Sequence, residues 1–215
     1  MSRLVRTASL LLVLLGALAC SKKAEPTQPS DPGTDPEGNQ RSSTRPNLQW
    51  KRFAALEADL AQALELPKEE ICNEFGKESC IGKVHLVPLG GNDPFGTGLL
   101  EPSAEPLATT SSAIDRILLS ACSKRVELDR AAGRSKAKVF AELDLEADAP
   151  AKSSASVKDT ITTLYRRLLA RDPDPHEVPL VAALAEDGDG DAVSAADFAT
   201  LACFSIGTTT EFLFF

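Results

Sequence analysis

The chain has 215 residues, a quarter of them charged, and a formal net charge of −8 at neutral pH. Nucleic acids and anionic lipid surfaces attract basic patches, so this acidic balance argues against both as partners. The length left after a leader and a linker suits one domain with a real hydrophobic core.

The first segment has the features of an export signal. Arg3 and Arg6 form a short basic region, and the apolar run 10–18 follows. This run is shorter than the roughly 20 apolar residues that span a bilayer, and it is typical of a signal peptide. The stretch ALAC at 17–20 resembles the lipobox of bacterial lipoproteins, so residues 1–19 are expected to be a lipoprotein signal peptide.

The lipoprotein resemblance implies an anchor in the cell envelope. In that family the lipobox cysteine, here Cys20, is acylated, and several acyl chains hold a protein stably on the lipid bilayer. An aspartate after the cysteine tends to keep family members in the inner membrane; Ser21 stands here, which implies the outer membrane. The alternative is an ordinary signal peptide cut after Ala19, which leaves Cys20 as a free thiol.

Residues 20–47 are expected to be a disordered tether behind the acylated cysteine. From residue 21 onward they hold five prolines and no large apolar side chain, so they cannot bury enough surface to offset the entropy of ordering. An O-glycosylated stalk is the alternative. The tether leads to a single helical domain at 48–215.

That domain begins with an amphipathic helix. Apolar side chains recur at three- and four-residue steps up to the helix end near Pro67; they are Trp50, Phe53, Leu56, Leu60 and Leu64.

An irregular middle follows this helix. A short helical piece, KEEICNEF, is predicted to stop at Gly76, and CIGKVHLVPL is a possible short strand. GGNDPFGTG is a turn-rich loop. Ser112 with Asp115 is expected to cap a helix that runs to about Ala132, and AKVFAELDL fits either a strand or a helix.

The last third predicts three helices. They are opened by Ser156 with Asp159, by Asp174, and by Ser194 with Asp197. The final helix is apolar nearly all round, a pattern typical of a buried helix. The predicted fold is therefore mainly α, a helical bundle with an irregular middle and with its C-terminal helix at the centre of the core.

Four cysteines besides the lipobox cysteine predict two disulfides. An even number in an exported chain favours bridges, and three pairings are possible for Cys72, Cys80, Cys122 and Cys203. The simplest joins Cys72 to Cys80 across a short loop and Cys122 to Cys203 between helices, which staples the middle segment. Free buried thiols are the alternative for the helical pair.

The stretch EDGDGDAVSAADF resembles part of a calcium loop. Asp187, Asp189 and Asp191 take the first three ligand positions of an EF-hand loop, but Phe198 takes the twelfth, where a bidentate acid is needed. Asp197 falls one residue short and fits only a shortened, dockerin-like loop. An acidic turn before a helix is expected, with a weak Ca²⁺ site as the alternative.

The last quarter of the chain resembles the closing helices of uncharacterised domains in exported bacterial proteins, some of which accompany c-type cytochrome modules. The shared pattern is L-Y-x-x-x-L-x-R-x-P-x-x-x-E followed by [ST]-x-E-F-L-F. It falls on Leu164, Tyr165, Leu169, Arg171, Pro173, Glu177, Glu211, Phe212, Leu213 and Phe214. The resemblance implies a helical fold and export. The sequence has no CxxCH motif to attach haem, and no cofactor is expected beyond weak Ca²⁺.

These features predict an envelope lipoprotein whose helical domain has a binding or structural role rather than a catalytic one. Its expected partners are the bilayer, reached through acylated Cys20, and another envelope protein. The alternative is an accessory subunit or enzyme that uses acids in a cleft, such as Glu211 or Asp197. Outside that alternative, Glu177 and Glu211 are interpreted as isolated capping or surface acids.

Overall fold

The computed structural model describes residues 48–98 and 100–214, and all of these belong to one compact unit. The predicted signal peptide, Cys20 and the predicted tether lie outside the described residues. Within the described part of the chain, no helix is both long and apolar enough to cross a membrane.

The predicted mainly α fold is confirmed. Four longer helices build the bundle, and they are α1 (Phe53–Leu64), α4 (Thr110–Ala132), α5 (Ala155–Leu169) and α7 (Ala195–Gly207). Shorter elements fill the connections: α2 (Lys68–Ile71), β1 (Asn73–Glu74), β2 (Glu78–Ser79), α3 (Pro94–Thr97), α6 (Glu177–Ala182) and α8 (Thr210–Leu213).

Helix α7 lies at the centre of the core, as its apolar sequence predicts. It packs against both α4 and α5, and Phe198, Ala202 and Cys203 are fully buried. Gly207 allows a close approach to α4, because a Cβ at this position would lie 2.7 Å from a methyl group of Leu118.

The helix starts show which capping predictions were right. Ser194 caps α7 as predicted: its Oγ accepts the Asp197 N–H at 3.1 Å. Helix α5 is capped by Ser154, whose Oγ accepts the Val157 N–H, so the predicted cap at Ser156 is wrong by two residues. Helix α4 begins at Thr110, before the predicted capping pair.

Helix α6 begins later than its predicted cap suggests. A turn follows Asp174, and the helix starts at Glu177. Pro179 therefore falls in the first helical turn, where a missing N–H costs no hydrogen bond.

The segment CIGKVHLVPL is not a strand. Residues Cys80–Val84 form a π-helical turn, in which the His85 N–H donates to the Cys80 carbonyl at 2.7 Å. More turns lead from there to Leu89.

Residues 137–145, AKVFAELDL, are neither strand nor helix, because a buried carboxylate collects their N–H groups. Asp129 on α4 accepts the N–H groups of Lys138, Val139 and Phe140, each at 2.9 Å. The Arg125 guanidinium donates to the same carboxylate at 2.6 Å. Backbone donors that a strand would pair with a neighbour are thus used on one side chain.

The start and the end of the described chain lie side by side. Trp50 and Phe214 form an isolated antiparallel bridge, and the Lys51 N–H donates to the Leu213 carbonyl at 2.7 Å. The Phe53 N–H donates to the Leu89 carbonyl at 2.9 Å, which brings the middle segment to the same place. We call this region the terminal pole.

Candidate functional site

A short hairpin interrupts the helical fold between α2 and α4. Its strands pair Asn73 with Ser79 and Glu74 with Glu78, and the Cys72–Cys80 disulfide closes its base with the Cα atoms 5.4 Å apart. The predicted helix up to Gly76 is wrong, because α2 ends at Ile71 and the bridged Cys72 is extended.

The tip of this hairpin places a bulky residue in a strained conformation. Phe75 has φ 53° and Gly76 has φ 73°, and the Lys77 N–H donates to the Glu74 carbonyl at 3.2 Å. Two left-handed central residues are typical of a type I′ turn, where Asn, Asp or Gly is preferred. A left-handed phenylalanine costs about 1–2 kcal/mol.

The Phe75 side chain points away from the core and is 89% exposed. Exposure alone would carry little weight, because isolated apolar side chains are common on protein surfaces. Phe75 combines exposure with backbone strain, so neither packing nor turn preference explains the choice of phenylalanine. Strain of this kind concentrates at functional sites.

The hairpin is fastened to α4, which holds Phe75 in a defined place. Glu74 Oε1 forms an ion pair with Arg116 at 2.9 Å and lies 3.0 Å from His85 Nε2. A Lys83–Glu78 ion pair ties the second strand to the π-helical turn. A tip held by a disulfide and ion pairs loses little entropy when it meets a partner. We call residues 72–80 the stapled hairpin.

The second disulfide lies in the core. Cys122 on α4 and Cys203 on α7 are bonded, with their Cα atoms 5.8 Å apart. Both pairings in the structure are those that the sequence predicts.

A charged cluster joins the loop after α5 to α6 and α8. Arg171 donates two hydrogen bonds to Glu177, both at 2.8 Å, and two to Glu211, both at 2.7 Å. Its guanidinium lies 5.1 Å from the Tyr165 ring centroid. Glu177 and Glu211 are therefore not isolated, although Glu177 also makes the capping contact expected of it, since it accepts the Asp174 N–H at 2.6 Å. We call these four residues, Tyr165, Arg171, Glu177 and Glu211, the Arg171 cluster.

The Arg171 cluster keeps its carboxylates ionised. Hydrogen bonds from Arg171 lower the pKa of Glu177 to about 2, with help from the Asp174 N–H at 2.6 Å and against an opposing effect of burial. Arg171 also lowers the pKa of Glu211, while burial raises the pKa of Tyr165. Carboxylates held this way are poor proton acceptors at neutral pH, so the arrangement suits a structural clasp better than acid–base chemistry.

Two carboxylates of the acidic segment before and at the start of α7 are engaged in local hydrogen bonds. Asp187 Oδ1 accepts the N–H groups of Asp189 at 3.0 Å and Asp191 at 2.9 Å. Asp197 Oδ2 accepts the Ser194 hydroxyl at 2.7 Å as part of the helix cap. Across residues 48–98 and 100–214, no three His, Cys, Asp or Glu side chains come together in a way that could hold a metal.

Two cavities meet at the terminal pole and share Trp50. A groove of about 870 Å³ is lined by Leu48, Phe53, Asn92 and Pro102 among others. A pocket of about 430 Å³ lies on the other side of Trp50, against the start of α4 and residues Leu213 and Phe214.

Neither Glu211 nor Asp197, the acids named for a catalytic cleft, lines the groove or the pocket. Glu211 is held by Arg171, and Asp197 is part of the α7 cap.

Comparison of the chain with models of known protein families, with curated protein sequences and with solved structures finds no match in any of the three. The proposed function therefore rests on the residues of this chain alone.

Proposed function

We propose that this protein is a bacterial envelope lipoprotein, anchored through acylated Cys20 in the outer membrane, that binds another envelope protein with its stapled hairpin. The basic and apolar leader and the lipobox-like ALAC stretch support the anchor. The proline-rich segment 20–47 supplies the spacer between bilayer and domain. The domain acts by binding and carries no reaction of its own.

Phe75 is the observation that carries the binding role. An asparagine or glycine would fit the left-handed position at lower cost, and a polar residue would suit the 89% exposed side chain better. A partner with an apolar pocket for the phenyl ring accounts for both choices. Exposed aromatic anchors on rigid supports are typical centres of protein interfaces.

A photo-crosslinking amino acid at position 75 tests this role in the intact, lipidated chain. We expect a discrete crosslinked protein from living cells. Leu180 on α6 is the matched control, because it is also a large apolar side chain and is 69% exposed. The same products from both positions would contradict a specific contact at the hairpin.

Replacing Phe75 by Asn separates binding from folding. Because asparagine tolerates the left-handed conformation, the variant should gain up to about 1 kcal/mol of stability in denaturant unfolding. With the crosslinker moved to the exposed Lys77, the crosslinked product should disappear in the Phe75→Asn variant. A stable variant that keeps this product would refute the proposed role of Phe75.

A further inference from the structure

Three large apolar side chains stand in solvent near the terminal pole. Phe95 is fully exposed, Leu100 is 85% exposed and Leu48 is 66% exposed. Phe95 and Leu100 lie in the segment of the chain that precedes α4. A set of large apolar groups on one part of a surface marks a contact with a protein or a membrane.

Local hydrogen bonds fix the segment that carries Phe95 and Leu100. Asp93 Oδ1 accepts the Gly96 N–H at 3.0 Å, and the Thr97 hydroxyl donates to the Asp93 carbonyl at 2.8 Å. The Asn92 side chain donates to the Leu100 carbonyl at 2.8 Å, which closes the loop. Phe95 is therefore displayed on a defined turn.

Leu48 and the loop that carries Phe95 and Leu100 meet at the groove. Leu48 and Asn92 both line the groove, together with Pro102, so the loop closed by Asn92 and Leu100 lies against the point where the described chain begins. The residue before Leu48 is the last of the predicted tether. The predicted tether would thus join the domain beside these exposed apolar side chains.

The charges around this place favour a neutral surface. Asp93, Glu101 and Glu105 are exposed on the loop, and Arg52 is the basic residue of the groove lining. Anionic headgroups would be repelled by this balance, whereas a zwitterionic surface would not.

We propose that the terminal pole rests on the bilayer, with Phe95 and Leu100 inserted among the lipids at a zwitterionic surface. The inference rests on the proposed anchor at Cys20. Twenty-seven residues, 21–47, separate that anchor from Leu48, and a linker of this length with the predicted disorder would have an r.m.s. span of roughly 30 Å. Such a linker keeps the pole at a high effective concentration near the membrane, so a few apolar side chains suffice to hold it there.

Depth-dependent fluorescence quenching tests the contact on the full, lipidated protein. The chain has one tryptophan, so Trp50→Phe combined with Phe95→Trp places the only indole at the proposed insertion site. In phosphatidylcholine vesicles with brominated acyl chains, we expect a blue-shifted emission and loss of most of its intensity. Replacing part of the lipid by phosphatidylglycerol should weaken the quenching.

Ala131 is the matched control position. It is exposed near the end of α4, whose 23 residues run about 34 Å from Thr110 in the wall of the pocket at the pole. Trp50→Phe with Ala131→Trp should show unshifted and unquenched emission. Equal quenching at positions 95 and 131 would overturn the proposed orientation.

A second measurement needs no substitution at the buried Trp50. Phosphatidylcholine with a diazirine in its acyl chain should label residues 91–109 of the unaltered protein and spare the end of α4. If the protein floats with the vesicles but position 95 is neither quenched nor labelled, the inference fails and the anchor stands. If the protein does not float, the proposed anchor fails as well.

Discussion

At the scale of single residues, two carboxylates show how this fold uses buried and half-buried charge. Glu177 accepts hydrogen bonds from the Arg171 side chain and from the Asp174 N–H. These bonds tie the loop after α5 to the start of α6. Asp129 accepts hydrogen bonds from Arg125 and from three backbone N–H groups, and these bonds shape the loop after α4. In both places the carboxylate accepts backbone N–H groups that regular secondary structure would otherwise pair.

The Glu177 carboxyl gives the fold a defined acid sensitivity. Its pKa is lowered from an ordinary 4.5 to about 2 in the folded chain, so the unfolded chain binds more protons between these values. The stabilisation is complete above pH 4.5 and is lost as the pH falls towards 2. Glu211, whose pKa is also lowered, acts in the same direction.

We therefore expect Glu177→Gln to flatten the fall in melting temperature between pH 4.5 and pH 2, relative to the unaltered protein. Glu101→Gln, on the exposed loop, is the control and should leave the acid slope unchanged. Thermal unfolding followed by circular dichroism measures both. An unchanged slope in Glu177→Gln would show that the Arg171 cluster does not contribute.

Asp129→Asn tests the buried carboxylate. The amide keeps the size of the side chain but leaves Arg125 buried without its anion and turns one acceptor into a donor among backbone N–H groups. Loss of one partner of a buried pair costs about 3–5 kcal/mol. Urea unfolding should show a loss of that size, whereas the exposed Asp144→Asn should change little. A loss below about 1 kcal/mol would refute this account of the loop.

At the scale of elements, the two disulfides have different weights. The Cys122–Cys203 bridge closes a separation of 81 residues and the Cys72–Cys80 bridge one of 8. Loop entropy gives the first about 4.5 kcal/mol and the second about 2.5 kcal/mol. The first also holds α4 against α7, the central contact of the bundle.

The double variant Cys122→Ala/Cys203→Ala should therefore lose more free energy of unfolding than Cys72→Ala/Cys80→Ala, measured in guanidinium. The second variant should keep the bundle and lose the crosslinks from position 75. The reverse order of stability would mean that the hairpin, and not the α4–α7 contact, limits unfolding.

The helices show what local sequence can predict. Apolar spacing located α1, α5 and α7, and Ser194 marked the start of α7, because periodicity and caps depend on residues a few positions apart. The fully apolar surface of α7 also predicted its burial. The two bridges followed from cysteine number and placement alone.

The rest depended on contacts between distant residues. Arg171 and Glu211 are 40 positions apart in the sequence, and Arg116 on α4 forms an ion pair with Glu74 in the stapled hairpin. The apparent helix continuing through Cys72 to Phe75 was wrong because the bridge to Cys80 fixes an extended backbone there. The spacing of Asp174 and Glu177 was the one local signal of the Arg171 cluster, and it was interpreted as a simple cap.

At the scale of the molecule, the C-terminal elements complete the fold of the domain. Helix α7 fills the centre of the bundle, and Leu213 pairs with Lys51 at the terminal pole. The groove, the pocket and the exposed loop with Phe95 gather at that pole. The stapled hairpin is held by Arg116 of α4, one residue after Asp115 in the wall of the pocket at that pole.

Under the proposed export, the unequal spans of the two bridges would also set an order of oxidation. In a chain exported from its N-terminus, Cys72 and Cys80 arrive 8 residues apart and can close while the rest is still crossing the membrane. Cys122 must wait for Cys203, 81 positions later, in the helix that completes the core. Early closure of the hairpin removes two thiols from competition. When Cys203 arrives, Cys122 is the one thiol of the domain left to meet it, and three possible connectivities have become one.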